Sequence, residues 1–413
     1  MRVLFVTGTG GAGRSTVASA SALRCARAGG STLLLTSDDG ALAALGAGGA
    51  AGAEPAAAAE DGLPFGAPVA VADGLWVARI DAPAHFRASL DRLQERGESV
   101  LGYLGATPLE AEEITELPGA EALALLSALA GLVSGTPGTP HAGRAPYDLV
   151  VVDLPPLPDA LRLLALPEEL RRYLRRLLPP ERQAARALRP FLAQLAGVPA
   201  PAERLYEAAV GWDARLAAAE AVVTGPGVGV RLVLEPGDRA VRELPQALAG
   251  LALHGVALDA VVANRTLPAE SADPWLAELS GAQQSALKEL RDTADVTELP
   301  HLGREPGTAA DLAELADALP GPGNGTGAEA PAVDNLLAAE GVLVWRLPLP
   351  GAERHDLGLV RRGDELIVTA GPYRRVLPLA SALRRCTIER AGLYEGELRV
   401  RFRPDPGLWP AKD

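Results

Sequence analysis

With 413 residues, 39 basic and 52 acidic side chains and a net charge of -13, the chain is long enough for two or three domains. It is too acidic to attract nucleic acid or an anionic membrane broadly. Its two cysteines, Cys25 and Cys386, supply neither a disulfide framework nor a C-x-x-C metal pair and fit a reducing cytoplasm; no signal peptide and no run of about 20 apolar residues is visible, so stable membrane insertion is not expected.

The elements follow in chain order. "RVLFVTG" at the start is a short apolar run closed by glycine, a buried parallel strand. An Ala-rich helix over 15–28 follows and stops at Gly29 and Gly30. "STLLLTS" is a second strand, ending at Asp38 and Asp39, and completes a βαβ unit. The segment Ala41 to Ala59, nearly all Ala and Gly, reads as a loose connection. "LWVARID" (75–81) is a third strand, and helical patterns cover roughly 84–104 and 109–134 before the break "GTPGTPHAGRAP".

"YDLVVVDLPP" is a strand apolar on both faces. A helical block from about 159 to 222 is interrupted at "LLPPE" and "VPAPAE", and its Leu and Arg alternate at helical spacing. "VRLVLEP" (230–236) and "LDAVVANR" (258–265) are strands with a helix between them; a short strand near "DVTELPHL" and a helix from Thr308 to Leu319 complete an α/β part. "PGPGNGTGAEAP" is a linker by composition, and short alternating strands joined by G-D and E-G turns follow. The expected organisation is an α/β nucleotide-binding domain over 1–319 with helical insertions (about 84–134 and 159–222), a linker over 320–331, and a small all-β sandwich over 332–413.

The stretch "VTGTGGAGRST" (6–16) fits two phosphate-binding motifs. Gly8, Gly10 and Gly13 spell the G-x-G-x-x-G dinucleotide fingerprint, with Asp38 or Asp39 placed to hold a ribose hydroxyl. Gly8, Gly13, Arg14 and Ser15 spell a P-loop whose lysine has become arginine: backbone N–H groups would wrap the phosphates at a helix N-terminus, and Ser15 would ligate Mg²⁺. An arginine fork is longer than lysine and is not a point charge.

Taken with the rest of the chain, the loop resembles the deviant P-loop of the arsenite-pump and guided-entry targeting ATPase family, G-K-G-G-x-G-K-[ST]-[ST]. Here that pattern is Gly8-Thr9-Gly10-Gly11-Ala12-Gly13-Arg14-Ser15-Thr16. The family's switch I lines up with Ser37-Asp38-Asp39-Gly40-Ala41, and its P-G-x-x-E-A segment with "LPGAEALALL". Its switch II lines up with "DLPPLPDALRLL" from Asp153, and its adenine-contacting turn with Asn264-Arg265. The late segment "LPHLGREPGTAADLAEL" has its counterpart too. The C-terminal domain resembles the α-crystallin, small heat-shock type domain carried by some prokaryotic members, through "LPLPG", "RRGDELIV" and "RRVLPLASAL".

The resemblance implies a mostly parallel sheet of the SIMIBI P-loop type with helical insertions, a cytoplasmic location, ATP and Mg²⁺ as cofactors, and a homodimer. It carries nucleotide binding onto Gly8 to Thr16 and onto Asn264 and Arg265. It carries Mg²⁺ onto Ser15 and, through water, onto Asp153. Catalytic roles fall to Arg14 and to Asp38, the latter as the carboxylate that positions the attacking water; an ordinary strand-end turn residue is the other reading of Asp38.

The departures fall on chemistry. Thr9 stands at the signature lysine that reaches the partner's nucleotide, Arg14 at the P-loop lysine, and Leu157-Pro158-Asp159 at the γ-phosphate sensor. A trans-acting cation contributes about 10³–10⁵ in rate to phosphoryl transfer, so very slow hydrolysis or none is expected. The family's bridging zinc and its arsenite site both need cysteines that Cys25 and Cys386 cannot supply, so no zinc is expected. In targeting members the helical insertions bind an apolar client helix or membrane protein. Here the same blocks lack methionine, which client grooves favour, and client binding and self-packing both remain open.

Overall fold

The computed structural model describes residues 1–48, 64–104, 109–110, 113–115, 117–134, 147–177, 201–323 and 329–409. The Ala/Gly connection past residue 48, the break at 135–146, the middle of the Arg-rich block at 178–200 and residues 324–328 of the linker lie outside them. Two compact units are present: residues 1, 26–150 and 163–225 form one, and residues 2–25, 151–162 and 226–413 the other.

In the first unit the strands run in the order β3 (Val69–Ala72), β4 (Leu75–Arg79), β2 (Thr32–Thr36) and β5 (Leu149–Asp153), the last of which is divided between the units. β2 and β4 are parallel, and β3 is an antiparallel edge. Every residue of β2 is buried, the continuous apolar run that a strand covered on both faces requires. Helices α2 (Asp39–Ala44), α3 (Ala82–Leu104), α4 (Ala120–Ser134), most of α5 (Asp159–Leu177) and α6 (Pro201–Val223) complete the unit. α4 packs on α3 and α6, and its Ala124, Ala128 and Leu129 are fully buried. His85 of α3 meets Ser127 Oγ of α4 at 3.1 Å. Arg171 of α5 donates to Asp213 and Glu220 of α6.

Three expectations change here. Residues 41–44, expected in a loose connection, belong to α2, because Asp38 supplies an N-cap ahead of an Ala/Leu turn. The helix expected from 109 begins only at Ala120, after Gly119 at φ 99, a left-handed value that no regular helix contains. The edge strand β3 was not foreseen.

In the second unit the order is β5, β1 (Arg2–Gly8), β6 (Val228–Leu234), β7 (Leu258–Thr266) and β8 (Val296–Pro300), and the pairs β1–β6, β6–β7 and β7–β8 are parallel. Helix α7 (Asp238–His254) joins β6 to β7 and α8 (Pro274–Thr293) joins β7 to β8; α1 (Arg14–Arg27) follows β1, and α9 (Ala309–Ala318) follows β8. α8 is absent from the sequence reading, although Asp273 caps it and Pro274 opens it, a legible start signal.

The unit continues into two antiparallel sheets. One has the order β14 (Cys386–Tyr394), β15 (Glu397–Pro404), β10 (Val342–Pro348), β9 (Ala332–Leu336); the other runs β11 (Leu357–Arg362), β12 (Glu365–Ala370), β13 (Tyr373–Pro378). Alternate residues of β12 and β15 are buried, among them Leu366, Val368, Val400 and Phe402. That period of two is what a sheet with one face on a core produces.

The linker starts pinned. Arg231 of β6, fully buried, donates from Nε and Nη2 to Asp259 Oδ2 (2.8 and 2.6 Å), from Nη1 to Ser21 Oγ (2.9 Å) and from Nη2 to the Pro320 carbonyl (3.2 Å). Asp259 Oδ1 accepts from the Gly323 N–H (2.6 Å), and Arg2 donates to the Pro322 carbonyl. Among the described residues no helix is long and apolar enough to cross a membrane.

Candidate functional site

The second unit gathers Gly8 to Thr16, Asp153, Asn264 and Arg265. β1 enters with Val3 to Thr7 buried and ends at Gly8. A Cβ at Gly8 would lie 1.7 Å from the Val233 carbonyl oxygen of β6, so only glycine lets the two strands run this close. Thr9 is buried, at 4% exposure, and its N–H donates to the Val233 carbonyl at 3.1 Å. The Ala12 N–H then donates to the Thr9 carbonyl (3.2 Å), which closes a tight turn with Gly10 and Gly11 facing outward. Gly11 and Gly13 have φ of 85 and 83, the left-handed region that a Cβ disfavours. α1 begins at Arg14, and the Val17 N–H reaches the Gly13 carbonyl (3.0 Å). The first-turn N–H groups of Arg14, Ser15 and Thr16 therefore have no carbonyl of α1 itself to bond, the feature that makes helix N-termini suited to anions.

Asn264, on β7 and 4% exposed, donates from Nδ2 to the Ala12 carbonyl at 2.8 Å. The same amide covers Gly13, where a Cβ would stand 2.5 Å from Nδ2. Arg265 holds a left-handed backbone (φ 61) without being glycine. Its guanidinium donates to the Gly11 carbonyl (2.9 Å) and pairs with Glu235 (3.3 Å). Gln283 of α8 fixes this turn from behind: its Nε2 donates to the Arg265 carbonyl (3.0 Å), and its Oε1 accepts from the Leu267 N–H (2.7 Å).

Beside the loop lies a cavity of about 440 Å³, lined by Gly13, Thr16, Asn264, Arg265, Gln283 and His301 among others. Arg304, also on its wall, donates to Asp311. The Thr308 hydroxyl and then Arg304 hold the Asp311 carboxyl down at about 2. Asp311 in turn completes the capping box of α9 with Thr308. His301 and Arg304 fall in the late segment matched to the family but carry no site role there, and Glu235 and Gln283 are not marked by any motif.

At the two positions where the family pattern has lysine, the side chains are engaged with the protein itself. The Arg14 guanidinium donates to the Leu154 carbonyl, just past β5. Thr9 is enclosed. The segment after Asp153 is laid along β1: Leu154 N–H donates to the Val6 carbonyl (2.9 Å), Thr7 Oγ1 to the Pro155 carbonyl (2.7 Å), and Leu157 N–H to the Gly8 carbonyl (2.9 Å). Asp38 belongs to the first unit, where it is exposed and its Oδ1 accepts from the Ala41 N–H (2.7 Å) as the N-cap of α2.

Comparison with known proteins bears on both parts of the chain. A family model described as anion-transporting ATPase matches residues 1–321, and one described as the HSP20-like domain found in ArsA matches residues 340–402. The uncharacterized protein SCO2128 of Streptomyces coelicolor is 51% identical over 99% of both chains. Protein Rv2184c of Mycobacterium tuberculosis is 31% identical over 99% of this chain and 97% of its own. A protein of Aquifex aeolicus with the provisional name arsenical pump-driving ATPase 1 is 23% identical over 97% of this chain and 99% of its own.

Proposed function

The chain belongs to the anion-transporting ATPase family and carries the family's HSP20-like domain; from that premise we propose that it binds ATP with Mg²⁺, hydrolyses it very slowly or not at all, and works as a nucleotide-gated homodimer. One observation carries this reading. The glycine loop turns through left-handed Gly11 and Gly13 into the start of α1, which suits anion binding, while the two positions where the family pattern has lysine hold a buried threonine and an arginine bonded to the Leu154 carbonyl.

The residues present suit the ligand. Gly11 and Gly13 hold conformations that side chains disfavour, and nothing stands within 4 Å of where a Gly11 Cβ would be. The adjoining cavity of about 440 Å³ is in the range of small-ligand sites. In this reading the N–H groups from Gly10 to Thr16 hold the phosphates, Ser15 and Asp153 hold the metal, and the base lies toward Asn264 and Arg265. Bound Mg²⁺ would offset phosphate charge. The chain's own task is to bind and orient, for which backbone amides suffice. Asp38 as the carboxylate that orients water is part of the proposal, alongside its capping bond. Dimerisation is the common state in the family, and it gives the loop a second copy to respond to.

The test is calorimetric titration of Mg–ATP into the full chain, with thermal unfolding beside it. Ligand at 100-fold over Kd stabilises by about 2.7 kcal/mol; neither heat nor a thermal shift would overturn the binding claim. Steady-state hydrolysis of wild type, Arg14→Lys and Thr9→Lys/Arg14→Lys then separates the steps. Fast turnover by wild type refutes the slow-hydrolysis claim, and light scattering with and without nucleotide tests the gated dimer. A second reading is a client-binding pseudo-ATPase, favoured by exposed Tyr173, Leu177, Val210 and Trp212 on α5 and α6. Suppression of client aggregation by the full chain, unchanged by nucleotide, would select it.

A further inference from the structure

The C-terminal β region lies on α7 along one line of close contacts. A Cβ at Gly351, in the loop after β10, would stand 2.5 Å from the Pro245 carbonyl oxygen of α7. Gly371, ahead of β13, faces Gln246. Arg375 Nη1 donates to the Leu253 carbonyl (2.8 Å), which satisfies a carbonyl of the last turn of α7. Between these points Tyr373, only 3% exposed, presses its ring onto the helix backbone. A Cβ at Gly250 would meet Tyr373 Cδ2 and Cε2, each at 2.6 Å. His254 meets the same ring edge-on, with centroids 6.4 Å apart. Burial keeps the phenol protonated, pushed up to about 12. Helix glycine at position 250 is thus the hole into which a β-domain aromatic fits.

Leu161 reaches the same hole. Its Cδ1 would be 2.9 Å from that Gly250 Cβ, and Leu161 is 1% exposed. Leu161 stands eight residues after Asp153, in the first turn of α5. The chain between them is the segment already bonded to Val6, Thr7 and Gly8 at the root of the glycine loop. One stretch, 154–161, is therefore held at one end by the phosphate loop and at the other by the β region's aromatic. Packed contacts of this kind do not deform continuously. A shift of the stretch at the loop end has to be taken up at Tyr373 or resisted by it.

We propose that Tyr373 is a positioning residue for the nucleotide site, acting through Leu161, so that seating of the C-terminal β region and occupancy of the glycine loop are thermodynamically coupled. The occupancy half rests on the nucleotide-binding reading above. Coupling is reciprocal: whatever factor the docked β region contributes to nucleotide affinity, nucleotide returns to docking.

The experiment is hydrogen exchange by mass spectrometry on the full chain, with peptides covering 157–164 and 365–378. Wild type is compared with Tyr373→Ala, Tyr373→Phe and Val400→Ala, without ligand and with Mg–ADP. Val400 is fully buried on β15, in the other sheet, and controls for general loosening of the β region. Without ligand, Tyr373→Ala speeds exchange in 157–164 by about tenfold or more, because a buried aromatic is removed from a packed junction. Tyr373→Phe keeps the ring and leaves exchange unchanged, and Val400→Ala leaves 157–164 unchanged. With Mg–ADP, wild type slows exchange in both windows. Tyr373→Ala binds several-fold more weakly, and its 365–378 window no longer responds.

The proposal is overturned if Tyr373→Ala leaves 157–164 as in wild type, if Val400→Ala moves it equally, or if Mg–ADP protects 157–164 in wild type without touching 365–378. If titration shows that neither Mg–ATP nor Mg–ADP binds wild type, the nucleotide-binding reading falls instead, and the ligand-free arm alone decides whether Tyr373 positions the segment.

Discussion

Replacing Gly13 by alanine tests the core of the site, because two separate costs can be worked out and one of them can be removed. The first is conformational: Gly13 has φ 83, and a Cβ in that region costs roughly 1–2 kcal/mol. The second is steric: the new Cβ would stand 2.5 Å from Asn264 Nδ2, so the amide must swing away and give up its 2.8 Å bond to the Ala12 carbonyl, about 1 kcal/mol net. Gly13→Ala is therefore expected to destabilise by about 2–3 kcal/mol. Asn264→Ala alone costs about 1–3 kcal/mol by orphaning that carbonyl. In the double variant the steric part vanishes and the lost bond counts once, so its cost falls short of the sum by about 1 kcal/mol. Urea unfolding followed by circular dichroism reads all four corners of the cycle. Additivity within about 0.5 kcal/mol would refute the claim that Asn264 is seated over Gly13, and with it the picture of a loop shaped from β7.

Two further outcomes follow from buried charge. Arg231→Met strands Asp259, whose side chain is 2% exposed, and should cost about 3–5 kcal/mol in urea unfolding; Arg231→Met/Asp259→Leu should recover most of it, and a double variant no better than the single would count against the pair. His254 is held neutral mainly by burial and then by Arg375, its imidazole lowered to about 4 from 6.5; the unfolded chain takes up that proton first, so this contribution is complete above pH 6.5 and lost as pH falls toward about 4. His254→Leu should flatten the fall in melting temperature over that window, and an unchanged slope would contradict the assignment.

The parallel strands were legible because burial on both faces leaves uninterrupted apolar runs, as "LLL" at 33–35 and "VVV" at 150–152 show. The glycine loop was legible because positive φ demands a residue type. Asn264 could be named only through the family's motif order; its bond to Ala12 joins residues 252 positions apart, and no local pattern reports such a pairing. α2 was hidden in an Ala/Gly-rich stretch where only Asp38 marked a start. Tyr373 was invisible for a related reason: the complement of an aromatic wedge is the missing side chain of Gly250, and a lone helix glycine reads simply as a weak spot.

On the proposed reading, that contrast explains how a phosphate site can lose its chemistry and keep its shape. The proposed holding groups are backbone N–H donors, and what fixes the loop is φ at Gly11 and Gly13, the strand approach at Gly8 and the amide of Asn264. None of these depends on the residues at positions 9 and 14. Charge delivered to a reacting phosphate does, because it comes from side chains whose ends must be placed in the transition state. On the proposed reading the loop therefore separates into a scaffold that tolerates Thr9 and Arg14 and a reaction centre that does not. Arg14 has more than its charge to give up: its bond to the Leu154 carbonyl fastens α1 to the segment running on to Leu161, so Arg14→Lys trades a planar, directed donor for a flexible one. A variant that gains turnover but loses the exchange coupling between 157–164 and 365–378 would place Arg14 among the links of that connection, whereas gain of turnover with coupling intact would confine it to the phosphate end.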